Sequence, residues 1–276
     1  MKKIAIQGIK GSNHYIVAQN YFGSDAKIQG FLSFDSLVDC LNSGDCDYGI
    51  MALENTIAGS IIPNYALIDQ NKLTICGEYY LNIHHHLMAL PNQNLEDIQE
   101  VCSHPMALLQ CKEFFKQYKH IKLVEDVDTA EVAERISKNQ LKNVAAIAPK
   151  VASEIFNLEV LEDEIQTIKN NATRFVIVQK IATEDARNNK KVNKASLKFE
   201  LDHKRGSLAA MLNVMSDCKL NLTKIQSLPK IETPWKYAFF VDVTFDQYED
   251  YTKAKAIIEI MAEEFKILGE YNNGIS

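Results

Sequence analysis

Short apolar runs alternate with segments of helical periodicity over the first 180 residues, and this alternation restricts the possible folds more than any other feature of the chain. The first pair is a buried-strand pattern at 4–6 followed by a helical pattern at 13–22. Further strand and helix patterns occupy, in order, 48–53 and 64–69, 100–103 and 106–118, 123–127 and 129–138, and 144–148 and 150–156, with a last strand at 174–179. Strands that alternate with helices predict an α/β fold with a largely parallel sheet.

The pattern changes after a segment at 181–194 that is rich in charged residues and asparagines. We interpret this segment as a linker between a region at 1–180 and a domain at 195–276. The second part has a strand at 197–201, a helix at 208–218, strands at 222–228 and 237–245, a helix at 252–264 and a strand at 265–268. This order is the split βαβ, ferredoxin-like plan. Because that plan leaves one sheet face without helices, we expect pairing with a second copy of the chain.

Charge and cysteine content argue against several classes of protein. The formal net charge is −6, and no group of basic residues is larger than Lys190, Lys191 and Lys194, so a nucleic-acid partner is not expected. The six cysteines include no CxxC pair, which predicts reduced, mostly buried thiols and a cytoplasmic location. The apolar stretch near the N-terminus stops at Gln7, and no apolar run is long enough to cross a bilayer. We therefore expect neither export nor membrane insertion.

Polar residues and glycines follow several of the predicted strands. In doubly wound sheets, ligands bind beyond the carboxyl ends of the strands, so these residues are candidates for a ligand site. Helix N-termini that meet there would present unpaired backbone N–H groups, which favours a small carboxylate ligand. Neither GxxxxGK[ST] nor GxGxxG is present, which argues against a phosphate loop. The candidates are Gly8, Gly11, Ser12, His14, Glu54, Asn55, Thr56, Gly59, Ser103, His104, Asp128 and Thr129.

The same residues have a purely structural interpretation, since several stand where helix caps are expected. Ser103 precedes Pro105 and is typical of an N-cap with proline in the first turn. Asp128 and Glu131 fit a capping box. Taken one at a time, capping is the better interpretation of each residue.

Neither a metal site nor a nucleophile is indicated. His84, His85 and His86 are adjacent, and side chains on a strand alternate between faces, so the three cannot share one ion. We interpret them as a strand end with one buried histidine, and we predict no metal. GxSxG is absent, and no cysteine has a context that marks it as reactive.

The segment from Asn170 to Phe175 leads polar groups and one arginine directly into an apolar strand. Arg174 could bind a carboxylate through two parallel hydrogen bonds. Alternatively, the asparagines only form a turn and Arg174 only pairs with an acid at the surface.

Four short motifs in the correct order resemble those of the monofunctional prephenate dehydratases with a C-terminal ACT domain, and the resemblance covers nearly the whole chain. They are Leu53-Glu54-Asn55-Thr56 with Gly59, Ser103-His104-Pro105 with Ala107, Gln110 and Cys111, Thr129-Ala130, and Asn171 with Thr173-Arg174-Phe175. The chain departs from the family pattern at Ala52, Met106, Asp128 and His14, where the family has proline, glutamine, serine, and serine or threonine.

This resemblance implies a two-lobed, type II periplasmic-binding-protein-like catalytic region, with the second lobe at about 78–160, followed by a ferredoxin-like βαββαβ ACT domain. It also implies conversion of prephenate to phenylpyruvate with loss of water and carbon dioxide. No cofactor is expected, because aromatisation of the ring drives the reaction.

By motif, Thr173 is the catalytic residue that donates to the departing hydroxyl group, and Glu54 is our candidate for a neighbour that relays the proton. Arg174 and the helix N-termini would hold a carboxylate. The remaining substrate-binding candidates that the resemblance implies are Ser12, Asn55, Thr56, Ser103, Thr129, Asn171 and Phe175.

In the C-terminal part, residues 205–208 resemble the G-A-L element of the family, and 221–229 resemble its N-L-T-K-I-E-S-R-P element, with Gln226 and Leu228 in place of Glu and Arg. The resemblance implies feedback binding of L-phenylalanine at an ACT dimer interface, and hence a homodimer or homotetramer. The implied effector-binding residues are Gly206, Ser207, Leu208, Asn221, Gln226 and Ser227.

Two alternatives stay open at this point. An enzyme of the same chemistry could prefer arogenate, the amino analogue of prephenate. A two-lobed protein of this kind could also be a non-catalytic binder of a small carboxylate, because a fold alone does not determine function.

Overall fold

The computed structural model describes residues 1–180, 192–230, 233 and 236–275. The chain forms two compact units, one of Met1–Ile61 with Tyr80–Phe175 and the other of Ile62–Tyr79 with Val176–Ser276. Most of the predicted linker at 181–194 lies outside the described residues. The predicted domain bounds at 180 and 195 stay a prediction.

The regular elements before residue 181 are, in chain order, β1 (Lys3–Gln7), α1 (Asn13–Phe22), β2 (Lys27–Phe31), α2 (Phe34–Ser43), β3 (Tyr48–Asn55), β4 (Gly59–Ser60), α3 (Ile62–Gln70), β5 (Thr74–Asn82), β6 (His86–Ala89), β7 (Glu100–Ser103), α4 (Pro105–Cys111), β8 (Lys122–Glu125), α5 (Thr129–Asn139), β9 (Val144–Ala148), α6 (Lys150–Phe156), β10 (Glu159–Glu162) and β11 (Ala172–Gln179). After residue 191 come β12 (Lys194–Glu200), α7 (Ser207–Asp217), β13 (Asn221–Pro229), β14 (Tyr237–Thr244), α8 (Tyr248–Met261) and β15 (Glu264–Tyr271).

The strands before residue 181 form two sheets. The first has the order β2-β1-β3-β11-β5, with β4 paired to β3, and β1 is parallel to both of its neighbours. The second has the order β10-β6-β9-β7-β8, in which β7 is parallel to β8 and β9 while β6 is antiparallel to β9 and β10. The chain enters the second sheet after β5 and returns to the first at β11. The predicted two-lobed α/β region is therefore confirmed.

The predicted strand and helix pairs are present, and the errors lie where the sequence pattern is weak. Strands β2, β4, β5, β6 and β10 and helix α2 were not predicted. In β2 most side chains are exposed, so this edge strand lacks the apolar run that marks a buried one. The single helix predicted at 106–118 is wrong, because α4 ends at Cys111 and a short 3₁₀ helix follows at Phe114–Gln117.

The last four strands form one antiparallel sheet with the order β13-β14-β12-β15, which confirms the predicted ferredoxin-like plan. Helices α7 and α8 cover one face through a core that includes Leu197, Phe199, Met215, Val241 and Tyr251. Helix α8 begins at Tyr248, four residues earlier than predicted.

The other face of this sheet is not bare, and the expectation that it would be is wrong. Residues of the segment Ile62–Tyr79 lie against it within the same unit. Buried Lys194, at the start of β12, donates to both carboxylate oxygens of Glu78 at 2.9 Å. Lys198 is four residues further along β12, and its Nζ lies 2.8 Å from Asp69 Oδ2. Charged side chains on this face are thus paired with acids from an earlier part of the chain.

Gly269 in β15 allows a close approach of the backbone within this unit. A Cβ atom at this position would overlap the carbonyl oxygen of Ile75, and backbone cannot move aside as a flexible side chain can. We expect Gly269→Ala to lower the free energy of unfolding by roughly 3 kcal/mol through overpacking. Urea unfolding would measure this, with Ile267→Ala on the same strand as a control. An unchanged midpoint for Gly269→Ala would contradict the close approach.

The prediction that all cysteines are reduced is wrong for one pair, because Cys40 and Cys46 form a disulfide. Helix α2 ends at Gly44, whose φ of +80° turns the chain back and leaves the two Cα atoms 5.5 Å apart. Burial raises the pKa of the free Cys111 thiol to about 12, which makes it inert. Disulfides are rare in the cytosol, so the cytoplasmic location loses one of its supports and stays a prediction.

In the described part of the chain, no helix combines the length and the apolar character that crossing a membrane requires.

Candidate functional site

A cavity of about 210 Å³ lies in the first unit, where the ends of β1, β3 and β11 meet the starts of helices from both lobes. It has the position that the strand-end residues predict. Five of the predicted site residues line it, namely Ser12, Asn55, Thr129, Thr173 and Phe175. The lining also includes three of the strand-end candidates, His14, His104 and Asp128, and residues such as His85, Met106 and Gln110 to which the sequence assigned no role in the site.

The N-termini of α1, α4 and α5 all contribute lining residues to this cavity. The Ser12 hydroxyl caps α1 by accepting from the Tyr15 N–H at 3.2 Å, and the Asp128 carboxylate caps α5 by accepting from the N–H of Ala130 at 2.8 Å. The predicted Asp128 cap is therefore confirmed. Helix N-termini carry positive partial charge and favour anions. Among the lining residues in the described part of the chain, none is Lys or Arg.

Ser103 and Thr56 have structural contacts instead of lining the cavity. The residue that caps α4 is His104, whose Nδ1 accepts from Met106 N–H at 3.2 Å, so the Ser103 cap prediction is wrong. Ser103 is fully buried and donates to the carbonyl of Ile147 at 2.7 Å. The Thr56 hydroxyl accepts from the backbone N–H at the start of β11.

Asn55, at the end of β3, is held in one orientation by its own turn. Its Oδ1 accepts from the N–H groups of Ile57 at 2.9 Å and Ala58 at 2.8 Å. The amide nitrogen must therefore face β11, where it lies 2.9 Å from Thr173 Oγ1 and 2.7 Å from Asn171 Oδ1. Because an amide NH₂ group only donates, both oxygens act as acceptors in these contacts.

The consequence for Thr173 is a defined hydrogen-bond polarity. Its Oγ1 accepts from Asn55, so its own proton is not used in that bond and is available to a ligand in the cavity. Thr173 and Phe175 lie on the same face of β11, and both line the cavity. The side chain that contacts Thr173 Oγ1 is therefore Asn55, where the sequence suggested Glu54.

Arg174 and Glu54 form an ion pair away from the lining. Strand alternation puts Arg174 on the opposite face of β11 from Thr173, and its side chain is 1% exposed. Its Nη1 donates to Glu54 Oε1 at 3.2 Å. Neither side chain is among those that line the cavity in the described residues. The roles suggested for Arg174 and Glu54 in the reaction stay predictions.

His14 stands between two aromatic rings at the edge of the cavity. Its ring meets Phe175 edge to face at a centroid distance of 4.9 Å and Phe34 at 5.5 Å. Its Nε2 is buried and has no hydrogen-bond partner among the described residues. Burial lowers the pKa of His14 to about 4, so the imidazole is neutral at pH 7.

The lowered pKa of His14 predicts a loss of stability in acid. The unfolded chain, with an ordinary pKa of 6.5, binds a proton before the folded one does, so this contribution is complete above pH 6.5 and is lost as the pH falls towards 4. Between pH 7 and pH 5, we expect the free energy of unfolding of the wild-type protein to fall by about 2 kcal/mol more than that of the His14→Phe variant. Urea unfolding at both pH values would measure this, and equal losses would contradict it.

The adjacent histidines differ from the prediction of one buried residue. His85 and His86 are both buried, with exposures of 5% and 6%, whereas the His84 side chain is 40% exposed. In the described ranges, no group of three or more His, Cys, Asp or Glu side chains is arranged to hold a metal ion.

The second unit has a cavity of about 160 Å³ that is lined by Ser207 and Leu208, two of the predicted effector-binding residues. Gly206, with φ of +86°, is the N-cap of α7 next to it. Asn221, Gln226 and Ser227 lie on β13 and are not among the lining residues. The structure therefore brings together only the first half of the predicted effector set.

The chain was compared with known families and structures. The prephenate dehydratase family model matches residues 4–183. A bifunctional chorismate mutase/prephenate dehydratase from Enterobacter agglomerans is 31% identical over 273 residues, which is 98% of this chain and 70% of that protein.

Among solved structures, a prephenate dehydratase from Arthrobacter aurescens in complex with L-Phe has a TM-score of 0.88 at 20% identity, covering 99% of this chain and 90% of the other. A structure described as GqqA, a novel type of quorum quenching acylase, has a TM-score of 0.87 at 24% identity, covering 98% and 97%. At these identities, both establish the shared fold only. The family match over 4–183 includes every motif around the cavity, and the chain therefore belongs to the prephenate dehydratase family.

Proposed function

We propose that this chain converts prephenate to phenylpyruvate in the cavity of the first unit, with Thr173 as the group that donates to the departing hydroxyl. The contact between Asn55 Nδ2 and Thr173 Oγ1, at 2.9 Å, carries the proposal. Because Thr173 Oγ1 is the acceptor in this contact, the threonine proton is not used in a bond to Asn55. The contact also stabilises the partial negative charge that grows on Oγ1 as the proton is donated.

The reaction can be written with balanced atoms and electrons and without a cofactor. The carboxylate on the ring is lost as carbon dioxide, and the electrons of that C–C bond complete the aromatic ring while the ring C–O bond breaks. The departing hydroxide takes the hydrogen bond from Thr173 and, with one proton supplied through solvent, leaves as water. The enzyme's task is orientation of a dianion, for which the N-termini of α1 and α5 are suited.

The test is an assay of phenylpyruvate formation from prephenate by the purified protein. Turnover above the uncatalysed rate is the expected result. Ligand binding without product formation would contradict the proposal and support a non-catalytic binder of small carboxylates. A competition assay with arogenate separates the remaining rival, because preferential formation of phenylalanine would make the enzyme an arogenate dehydratase.

We further propose that the second unit is an ACT regulatory domain that binds L-phenylalanine. Its ferredoxin-like strand order, the cavity beside Ser207 and Leu208 and the L-Phe complex of the Arthrobacter aurescens enzyme support this. L-Phenylalanine should slow turnover and raise the melting temperature, with D-phenylalanine as the matched control. Unchanged values at millimolar L-phenylalanine would contradict it.

The proposed assembly is a homodimer or homotetramer formed through this unit. Strand β13 supports it, since it lies at the edge of its sheet and alternate residues along it are exposed. Light scattering of the purified protein would measure the mass, and a monomer at micromolar concentration would contradict the assembly.

A further inference from the structure

A network of hydrogen-bonded side chains starts at Asn55. Two backbone N–H groups determine the direction of every hydrogen bond in it. Since Ile57 and Ala58 donate to Asn55 Oδ1, the amide nitrogen of Asn55 donates to Asn171 Oδ1 at 2.7 Å. The amide nitrogen of Asn171 is then left to donate, and it lies 2.9 Å from Gln110 Oε1. Gln110 therefore presents an acceptor oxygen to its next neighbour.

That neighbour is His85, whose Nε2 lies 2.8 Å from the same oxygen of Gln110. Because a carboxamide oxygen only accepts, His85 Nε2 must carry the proton. In a neutral ring, the lone pair then belongs to Nδ1. The network thus selects one tautomer of His85, through bonds that began at the turn after β3.

His85 is a lining residue of the cavity, and its Nδ1 is an acceptor without a hydrogen-bond partner among the described residues. The residue is 5% exposed, and Nδ1 is buried without a hydrogen-bond partner in the part of the chain that the structure describes. Burial lowers the pKa of His85, the hydrogen bond with Gln110 acts in the opposite direction, and the neighbouring His86 and His84 lower it further, so the net shift favours the neutral ring. A buried acceptor without a partner destabilises the protein, and a ligand that donates to it would offset that cost.

The chemistry of the substrate identifies the donor. At neutral pH, both carboxylates of prephenate are ionised and its side-chain ketone only accepts. The ring hydroxyl is therefore the single hydrogen-bond donor of the molecule. It is also the group that leaves.

We propose that His85 Nδ1 accepts a hydrogen bond from the ring hydroxyl of the substrate and so turns a lone pair of that oxygen towards the Thr173 proton. This inference rests on the proposed function. When the ring C–O bond breaks, the departing oxygen keeps its own hydrogen, which points to His85, and gains the second through Thr173, whose hydroxyl takes a replacement proton from solvent. His85 is therefore a residue that orients the leaving group, and it is not the source of the proton.

Two substitutions separate this role from a structural one, because each keeps a different half of the imidazole. His85→Asn keeps an acceptor near the position of Nδ1 and loses the donor to Gln110. His85→Gln keeps a donor near the position of Nε2 and loses the acceptor. We expect kcat for phenylpyruvate formation to fall roughly 100-fold in His85→Gln and less than about 10-fold in His85→Asn. The reverse order would assign His85 to holding Gln110 in place and would overturn the proposal.

A spectroscopic measurement keeps the test valid if either variant folds poorly. In protein with ¹⁵N-labelled histidine and the Thr173→Val substitution, which slows turnover, His85 should have a protonated Nε2 and an unprotonated Nδ1. Addition of prephenate should then shift the Nδ1 resonance in the direction of hydrogen-bond acceptance. A protonated Nδ1, or one that prephenate leaves unchanged, would overturn the proposal. Failure of the proposed function is distinguishable, because the wild-type protein would then form no phenylpyruvate.

Discussion

Replacement of Thr173 by valine is expected to lower kcat for phenylpyruvate formation by about 1,000-fold, because the hydroxyl that we propose as the donor to the leaving group is lost while the volume of the side chain is kept. The KM for prephenate should change little, since the helix ends that attract the dianion are untouched. Steady-state kinetics with prephenate would measure both constants. A valine variant with the wild-type kcat would contradict the role of Thr173.

Two matched variants show whether polarity, and not only the presence of a hydroxyl, matters at this position. Thr173→Ser keeps the donor and should retain kcat within about 10-fold. Asn55→Asp replaces the amide donor by a carboxylate that accepts, so the Thr173 proton would be drawn to the aspartate instead of the substrate. We expect this variant to approach the kcat of Thr173→Val even though its threonine is intact. A normal kcat would contradict the proton direction deduced from the Asn55 contacts.

The sequence predicts the fold best where one strand or helix has a continuous apolar pattern. Val176 and Ile177 in β11 and Val132 and Ile136 in α5 are fully buried, and both elements were predicted. Strand β12 was predicted to start later than it does. Its first residue is a lysine, and the acid that compensates this charge is 116 residues away in the chain. No local pattern contains that information.

The same distinction applies to the candidate site. Motifs predicted Asn55 and Thr173 as site residues, and strand alternation explains why Thr173 faces the cavity and Arg174 does not. The contact between Asn55 and Thr173 joins residues that are 118 positions apart, and the network that reaches His85 needs three further long-range contacts. Three adjacent histidines gave no signal that distinguished His85 from its neighbours. Hydrogen-bond direction is a property of the folded network, and residue identity alone does not contain it.

The net charge also has a different meaning once the cavity is known. A chain with a formal charge of −6 does not attract a dianion through its overall field. The described residues of the lining contribute Asp128 as a further negative charge, although that carboxylate is engaged by two N–H groups of α5. Attraction must therefore act over short distances, from helix ends and single hydrogen bonds. Binding through such groups should depend only weakly on ionic strength, because they are closer to the ligand than one Debye length of about 8–10 Å.

The buried pair of Lys194 and Glu78 gives the largest expected effect on stability. Both residues are nearly inaccessible, and the lysine bonds to both carboxylate oxygens while Gly274 N–H donates to one of them. Lys194→Ala would remove the ammonium group that bonds to both oxygens of this buried carboxylate. We expect the free energy of unfolding to fall by about 3–5 kcal/mol, as measured by urea unfolding of the second unit's transition.

The double variant Glu78→Leu/Lys194→Met distinguishes loss of one charge from loss of the pair. Because desolvation of two ions offsets most of their attraction, an apolar pair of similar volume should recover most of the stability that Lys194→Ala loses. Lys236→Ala, which removes the exposed pair of Lys236 and Glu263 in the same unit, serves as the control and should cost less than about 1 kcal/mol. If the double variant were no more stable than Lys194→Ala, the pair itself would contribute the stability. If Lys194→Ala unfolded at the wild-type midpoint, the segment Ile62–Tyr79 would not depend on this contact for its place against the sheet.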